Sequence, residues 1–167
     1  MTRPTLSSVD VAIEAMAWSE ALPHAKVLAT QAADAALGDE HRRGVTILLT
    51  DDHTVRDLNR RYRREDAPTN VLSFPAIDNM HGELGDIALA FGVCESEARA
   101  QSKPLADHLR HLVIHGILHL LGYDHQDEAE ASAMESLERE LLARMGVSDP
   151  YTLSPALDVP KDVGAHG

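Results

Sequence analysis

Residues 115–125 read His-Gly-Ile-Leu-His-Leu-Leu-Gly-Tyr-Asp-His. His115 and His119 are four apart, about one helical turn, so both imidazoles leave the same face of a helix and can point at one ion. Gly122 supplies the left-handed residue that ends the helix, and the chain doubles back to bring His125 in as a third ligand. Three neutral imidazoles suit a divalent first-row ion, zinc first. They also leave a coordination position open for water, as a catalytic site requires and a closed structural site does not. Toward the N-terminus, His111 and His108 prolong the histidine stripe. His111 and His119 would stand roughly 12 Å apart along the helix axis, whereas nitrogens that share an ion at bonds of about 2 Å are only about 4 Å apart. The turn at Gly122 therefore selects His115 and His119 and leaves His108 and His111 to support, pack or face solvent.

The spacing His-x3-His-x2-Gly-x2-His is also that of the metzincin proteases, where a glutamate after the first histidine acts as general base. Here that position is Gly116, which cannot take a proton. Ligation is shared with those proteases, and the acid/base apparatus is not.

Outward from the histidines, a helix is expected over about residues 105–121, with Pro104 near its start, and others at about 93–101 and 127–145. In the last, Met134, Leu137, Leu141 and Met145 recur at helical spacing and read as core. Upstream, Val9, Val11, Ile13 and Ala15 alternate as a strand does. Pro23 opens an alanine-rich helix that Gly38 closes, and Gly44–Thr50 forms a second strand, followed by a capped helix through about Tyr62. Asn70–Phe74 is a third strand ended by Pro75, residues 78–85 a loop, and Asp86–Phe91 a fourth strand. Strands come early and long helices late. The class is α+β: one domain over residues 1–150, with a small mixed four-stranded sheet against about five helices and the metal site on a central helix and the turn after it. Residues 151–167, with Pro155 and Pro160, are expected to be a flexible tail, ordered only where it docks.

The chain has 167 residues, length enough for one real core. No leader pattern precedes the first strand, and no apolar run approaches the roughly 20 residues that span a bilayer, so a cytoplasmic protein without a membrane partner is expected. Cys94 has no partner for a disulfide and reads as a small buried residue. A net charge of -12 argues against indiscriminate nucleic-acid binding, and no DNA partner is expected. The charge is uneven, however. Arg56, Arg60, Arg61, Arg63 and Arg64 fall close together, whereas residues 127–140 hold six carboxylates against one arginine. Guanidinium forks suit bidentate grip on phosphate oxygens, although a solvated helix face explains such a cluster equally well.

The histidine run, Leu-Asn-x-x-Tyr-Arg at 58–63 and Pro-Thr-Asn-Val-Leu-Ser-Phe-Pro at 68–75 together resemble the YbeY family of bacterial metal-dependent endoribonucleases; Gly85-Asp86-Ile87 and Asp149-Pro150-Tyr151 fit as well. The matching segments spread over most of residues 45–151, and the histidine run does not depart from the family pattern. The resemblance implies a role in maturing ribosomal RNA, notably the 3′ end of the small-subunit 16S rRNA, and in ribosome quality control. An rRNA precursor would be the substrate, and ribosomal subunits or ribosome-associated proteins the partners.

The metal ligands expected are His115, His119 and His125, holding one ion per chain, Zn2+ first, with Ni2+ or another first-row ion as alternatives. A water whose pKa falls toward about 7 would attack phosphorus without a carboxylate base. Arg63, at the family's motif position, would hold the scissile phosphate, and its neighbours would only steer the backbone. Asp124 either orients an imidazole or completes the turn after Tyr123. Asp86 either faces the site or caps a neighbouring backbone, and Ser73 and Thr69 either contact phosphate or pack. Two other readings stay open: a zinc metallopeptidase with a base from elsewhere, such as Glu83, and a non-catalytic, metal-stabilised module that binds ribosomes or RNA.

Overall fold

The computed structural model describes residues 8–40, 43–65, 69–77, 82–123 and 127–151. Along the chain run β1 (Val9–Ile13), α1 (Met16–Ala21), α2 (Ala25–Leu37), β2 (Gly44–Thr50), α3 (Asp52–Arg63), β3 (Val71–Pro75), β4 (Glu83–Ala90), α4 (Phe91–Ala100), α5 (Leu105–Leu120) and α6 (Glu128–Arg144). The strands form one mixed sheet in the order β1-β2-β4-β3. β1 and β4 both run parallel to β2, and β3 returns antiparallel on β4 as an edge strand.

Alternation along β4 decides what each face of this sheet carries. Ile87 and Leu89 join the large core with Ile47, Leu49 and the helices α2 and α5. Ala88 and Ala90 turn the other way and pack with Val55, Leu72, Leu58 and Phe74 under α3. A period of two thus separates an α3 side from an α2/α5 side. α5 crosses the second side and buries Leu109, Leu112, Val113, Ile114, Ile117 and Leu118, residues from all round its circumference, because α2, α4, α6 and the sheet surround it. α2 meets it through Ala25, Ala29, Ala32, Ala33 and Ala36, whose small side chains allow close approach.

The structure adds to the sequence expectation in two places. Residues Met16–Ala21, between the expected first strand and the helix that Pro23 opens, form a helix of their own, anchored by fully buried Trp18, whose indole N–H donates to the Thr50 carbonyl at 2.9 Å. Residues Glu83–Gly85, expected in a loop, begin β4. Gly85 holds φ at 151° and pairs with Pro75 so closely that a Cβ there would lie 2.3 Å from the Phe74 carbonyl oxygen. Only glycine lets the strand start this early.

Candidate metal centre and its surroundings

α5 delivers the histidines, and its end aims them. After Leu120 the backbone amides of Gly122 and Tyr123 return to the carbonyls of His119 and Leu118, with Gly122 at φ 109°. The predicted glycine turn is present. It places the Tyr123 carbonyl 3.1 Å from Nδ1 of His119, and since a carbonyl only accepts, that nitrogen carries the proton. On the other side, Nδ1 of His115 lies 2.8 Å from Oε2 of Glu138, a carboxylate reached from α6. Both imidazoles therefore commit Nδ1 as donor, and in the neutral rings both Nε2 atoms are lone-pair acceptors.

Those two Nε2 atoms face each other at 3.1 Å. Two acceptors at that distance need a cation or a shared proton between them. Nitrogens at about 2.0–2.1 Å from one tetrahedral ion stand about 3.3–3.4 Å apart, so the pair has the spacing of a chelate. His115 is buried. His125 and Asp124, the other residues expected here, lie outside the described residues.

The remaining histidines of the stripe turn to carboxylates. His108 meets Glu97 at 2.8 Å, and Glu97 also accepts from the Asn70 amide at 2.9 Å. Burial pushes the Glu97 carboxyl up, but the hydrogen bonds from His108 and Asn70 outweigh it and hold the group below its ordinary range. His111 meets the second oxygen of Glu138 at 2.8 Å. Burial, against the pull of Glu138, lowers the His111 pKa and favours its neutral ring. Glu138 is itself fully buried. Burial raises its carboxyl pKa, yet the hydrogen bonds from His111 and His115 prevail and keep it well below the usual carboxylate range. Tyr151 closes the group by donating its phenol to the Glu138 oxygen that His111 also contacts.

His111, His115 and Glu138 each offer one ligand atom within 4.8 Å of the others, a second donor set able to hold an ion. It shares His115 with the pair above. In that set each Glu138 oxygen already accepts from a separate histidine.

Arg63, on the last turn of α3, donates to the Ser73 carbonyl of β3 and lies over the Phe74 ring with its guanidinium carbon 5.7 Å from the centroid. Ser73 in turn donates its hydroxyl to the Gly116 carbonyl at 3.2 Å, so it joins β3 to α5 beside His115. Arg60 and Arg61 both pair with Asp57, and Arg64 caps the helix in the left-handed region. Asp86 is not brought to the histidines. It pairs with Phe74, on the α3 side of the sheet, and burial, then the charge of Glu83, raises its carboxyl pKa.

Comparison with known proteins shows the family of the chain. A family model described as endoribonuclease YbeY matches residues 12–146. The chain belongs to the YbeY family. It is 48% identical over 155 residues to the endoribonuclease YbeY of Paramagnetospirillum magneticum, covering 86% of this chain and 94% of that one. With the endoribonuclease YbeY of Azorhizobium caulinodans it shares 50% over 154 residues, covering 87% and 96%. The solution structure of TM1509 from Thermotoga maritima superposes with a TM-score of 0.51 at 25% identity, over 86% of this chain and 99% of that one.

In this YbeY-family chain, sequence reasoning missed Glu138 and Tyr151. The signal for Glu138 was present: it falls on the α6 face that buries Met134, Leu141 and Leu142, and a carboxylate in an apolar stripe must have partners waiting. Tyr151 appeared in the Asp149-Pro150-Tyr151 motif without a role, and it docks at the point where the flexible tail was expected to begin. Among the described residues no helix is long and apolar enough to cross a membrane.

Proposed function

We propose that this chain is a metal-dependent endoribonuclease that hydrolyses single-stranded segments of rRNA precursors, at the 3′ end of 16S rRNA and in ribosome quality control. It acts in the cytoplasm, with ribosomal subunits or ribosome-associated proteins as partners. The carrying observation is the pair of Nε2 lone pairs held 3.1 Å apart by acceptors on both Nδ1 atoms, in a chain of the YbeY family.

His115 and His119, with His125 as third ligand, hold the ion; Zn2+ is the first choice, with Ni2+ or another first-row ion as alternatives. A divalent ion bound there supplies a Lewis acid and a water of lowered pKa. Arg63 grips the scissile phosphate: one of its five donors is spent on the Ser73 carbonyl, which anchors the fork and leaves the others for phosphate oxygens. Its positive charge opposes the charge that builds on those oxygens during displacement. Asp124 orients its neighbour His125. Asp86 contributes from the α3 side, where it shares the sheet face with the Phe74 ring under Arg63.

A metallopeptidase could not take its base from position 116, for a physical reason. A Cβ on Gly116 would meet Ile87 at 3.0 Å and the Ser73 hydroxyl at 3.2 Å, so the position that carries glutamate in metzincins is pressed against the sheet. Glu83 lies over Gly44, at the start of β2 and β4.

The test is cleavage of a labelled small-subunit rRNA fragment by the purified chain, with and without chelator, beside His119→Ala and Arg63→Ala. Loss of cleavage with chelator and in both folded variants is expected, about 10²–10³-fold for Arg63→Ala if it stabilises developing charge. Undiminished cleavage in either variant overturns the role given to that residue.

A further inference from the structure

We infer that Glu138, clamped by Tyr151, is the positioning residue that sets the tautomer and aim of His115 for the ion. The inference rests on the metal reading above and extends it to residues that touch neither ion nor RNA.

Glu138 is completely buried on the apolar face of α6. A buried carboxylate is costly to keep charged, and where the charge serves stability alone an arginine or lysine commonly pairs with it. No such pair is present among the described residues: both of its ion-pair contacts are to histidines, His111 and His115. Its acceptor sites are all turned to one purpose. Oε2 takes the Nδ1 proton of His115, and Oε1 takes the Nε2 proton of His111 and the Tyr151 hydroxyl. Two donors on Oε1 stop the carboxylate from rotating about its own axis, so Oε2 stays on His115.

The consequence falls on the far side of the imidazole. A histidine whose Nδ1–H is held by a carboxylate has its Nε2 lone pair free to ligate, and cannot turn the ring over without breaking that bond. The same negative charge is felt through the ring at the ligating nitrogen, which strengthens its hold on a cation. At the equivalent atom His119 faces the Tyr123 backbone carbonyl. His115 is therefore a ligand backed by a full negative charge.

This reading also gives the Asp149-Pro150-Tyr151 motif a task. Asp149 accepts from the Tyr151 backbone amide at 2.8 Å and from Arg139 at 3.2 Å, and the Arg139 guanidinium carbon lies 5.1 Å from the Tyr151 ring centroid. The motif is a short turn, pinned to α6, that presents one phenol to one carboxylate. Glu138 and Arg139 are adjacent, so α6 holds both the clamp and the group being clamped.

The experiment is zinc affinity of the full chain by competition with a chromophoric chelator, for wild type, Glu138→Gln and Tyr151→Phe, beside the melting temperature of each metal-free protein. Loss of such a hydrogen-bonded partner weakens metal binding about 10–100-fold, and that is the shift expected for Glu138→Gln, with a smaller one for Tyr151→Phe. A Glu138→Gln protein that is folded and binds zinc within about threefold of wild type overturns the inference, since a purely structural residue would lower the melting temperature alone. If Glu138→Gln does not fold, nitrogen-15 imidazole shifts of the metal-free wild type decide: a proton on Nδ1 of His115 supports the inference, and a proton on Nε2 overturns it. A wild type that binds no zinc removes instead the metal reading on which the inference rests.

Discussion

Replacing Gly85 with alanine tests the link between the edge of the sheet and the proposed site. The residue holds φ at 151°, a conformation that side-chain-bearing residues avoid, and its new Cβ would stand 2.3 Å from the Phe74 carbonyl oxygen, 2.9 Å from a Leu120 methyl and 3.0 Å from the Pro75 Cα. Real Cβ atoms essentially never approach closer than 3.0 Å, so β3 must retreat by at least 3.0 − 2.3 = 0.7 Å. The backbone strain costs about 1–3 kcal/mol, and a disturbed ladder bond adds about 1 kcal/mol. A total near 3 kcal/mol lowers the melting temperature of a chain this size by about 6–12 °C. Function should fall by more than stability explains, because β3 carries the Ser73 carbonyl that anchors Arg63, and misplacement by about 1 Å can reduce a rate about 10²-fold. Thermal unfolding by circular dichroism, with RNA cleavage measured well below both melting temperatures, checks both parts. A variant that melts within about 2 °C of wild type and cleaves at its rate would refute the account of why β4 begins at Glu83 and how Arg63 is held.

Three further outcomes follow from the packing and the charges. Gly116→Glu creates the metzincin-like sequence yet drives a side chain into Ile87 and Ser73; it should lower soluble yield and melting temperature sharply and confer no peptidase activity, and a stable, proteolytic variant would contradict the packing of α5. Glu97, whose folded pKa is lowered by His108 and Asn70, stabilises the fold above its ordinary value of 4.5 and loses that contribution as pH falls through the folded pKa. The melting-temperature gap between wild type and Glu97→Gln should therefore be full near about pH 7 and shrink below about pH 4; a gap that ignores pH would show that Glu97 acts by packing alone. Asp86→Asn should leave zinc affinity within about threefold of wild type, since the sheet separates Asp86 from the histidines, whereas His119→Ala should abolish tight binding in the same chelator competition.

The histidine pair was legible because a helix converts spacing directly into direction: four residues make about one turn, so His115 and His119 had to share a face once that segment was helical, and Gly122 had to end it. The α+β class was legible for a similar reason, since period-two and period-3.6 patterns are local properties of the chain. What each face of the sheet carries was not. Asp86 and Ser73 are both strand residues within the motifs, and nothing local says that Asp86 turns toward α3 while Ser73 turns toward α5; the register of β3 on β4 settles it. The partners of the other histidines were equally hidden. Glu97 stands 11 residues from His108, and Glu138 27 from His111 and 23 from His115, and only the packing of α4 and α6 against α5 brings them within hydrogen-bond range. By itself the sequence determined that two imidazoles share one helix face, because that depends on residue type and on distances within one helix. The tertiary structure alone decided which nitrogen of each imidazole stays an acceptor, because a ring's tautomer is set by whatever acceptor lies behind it, and those acceptors arrive from a separate helix and from the turn that ends α5.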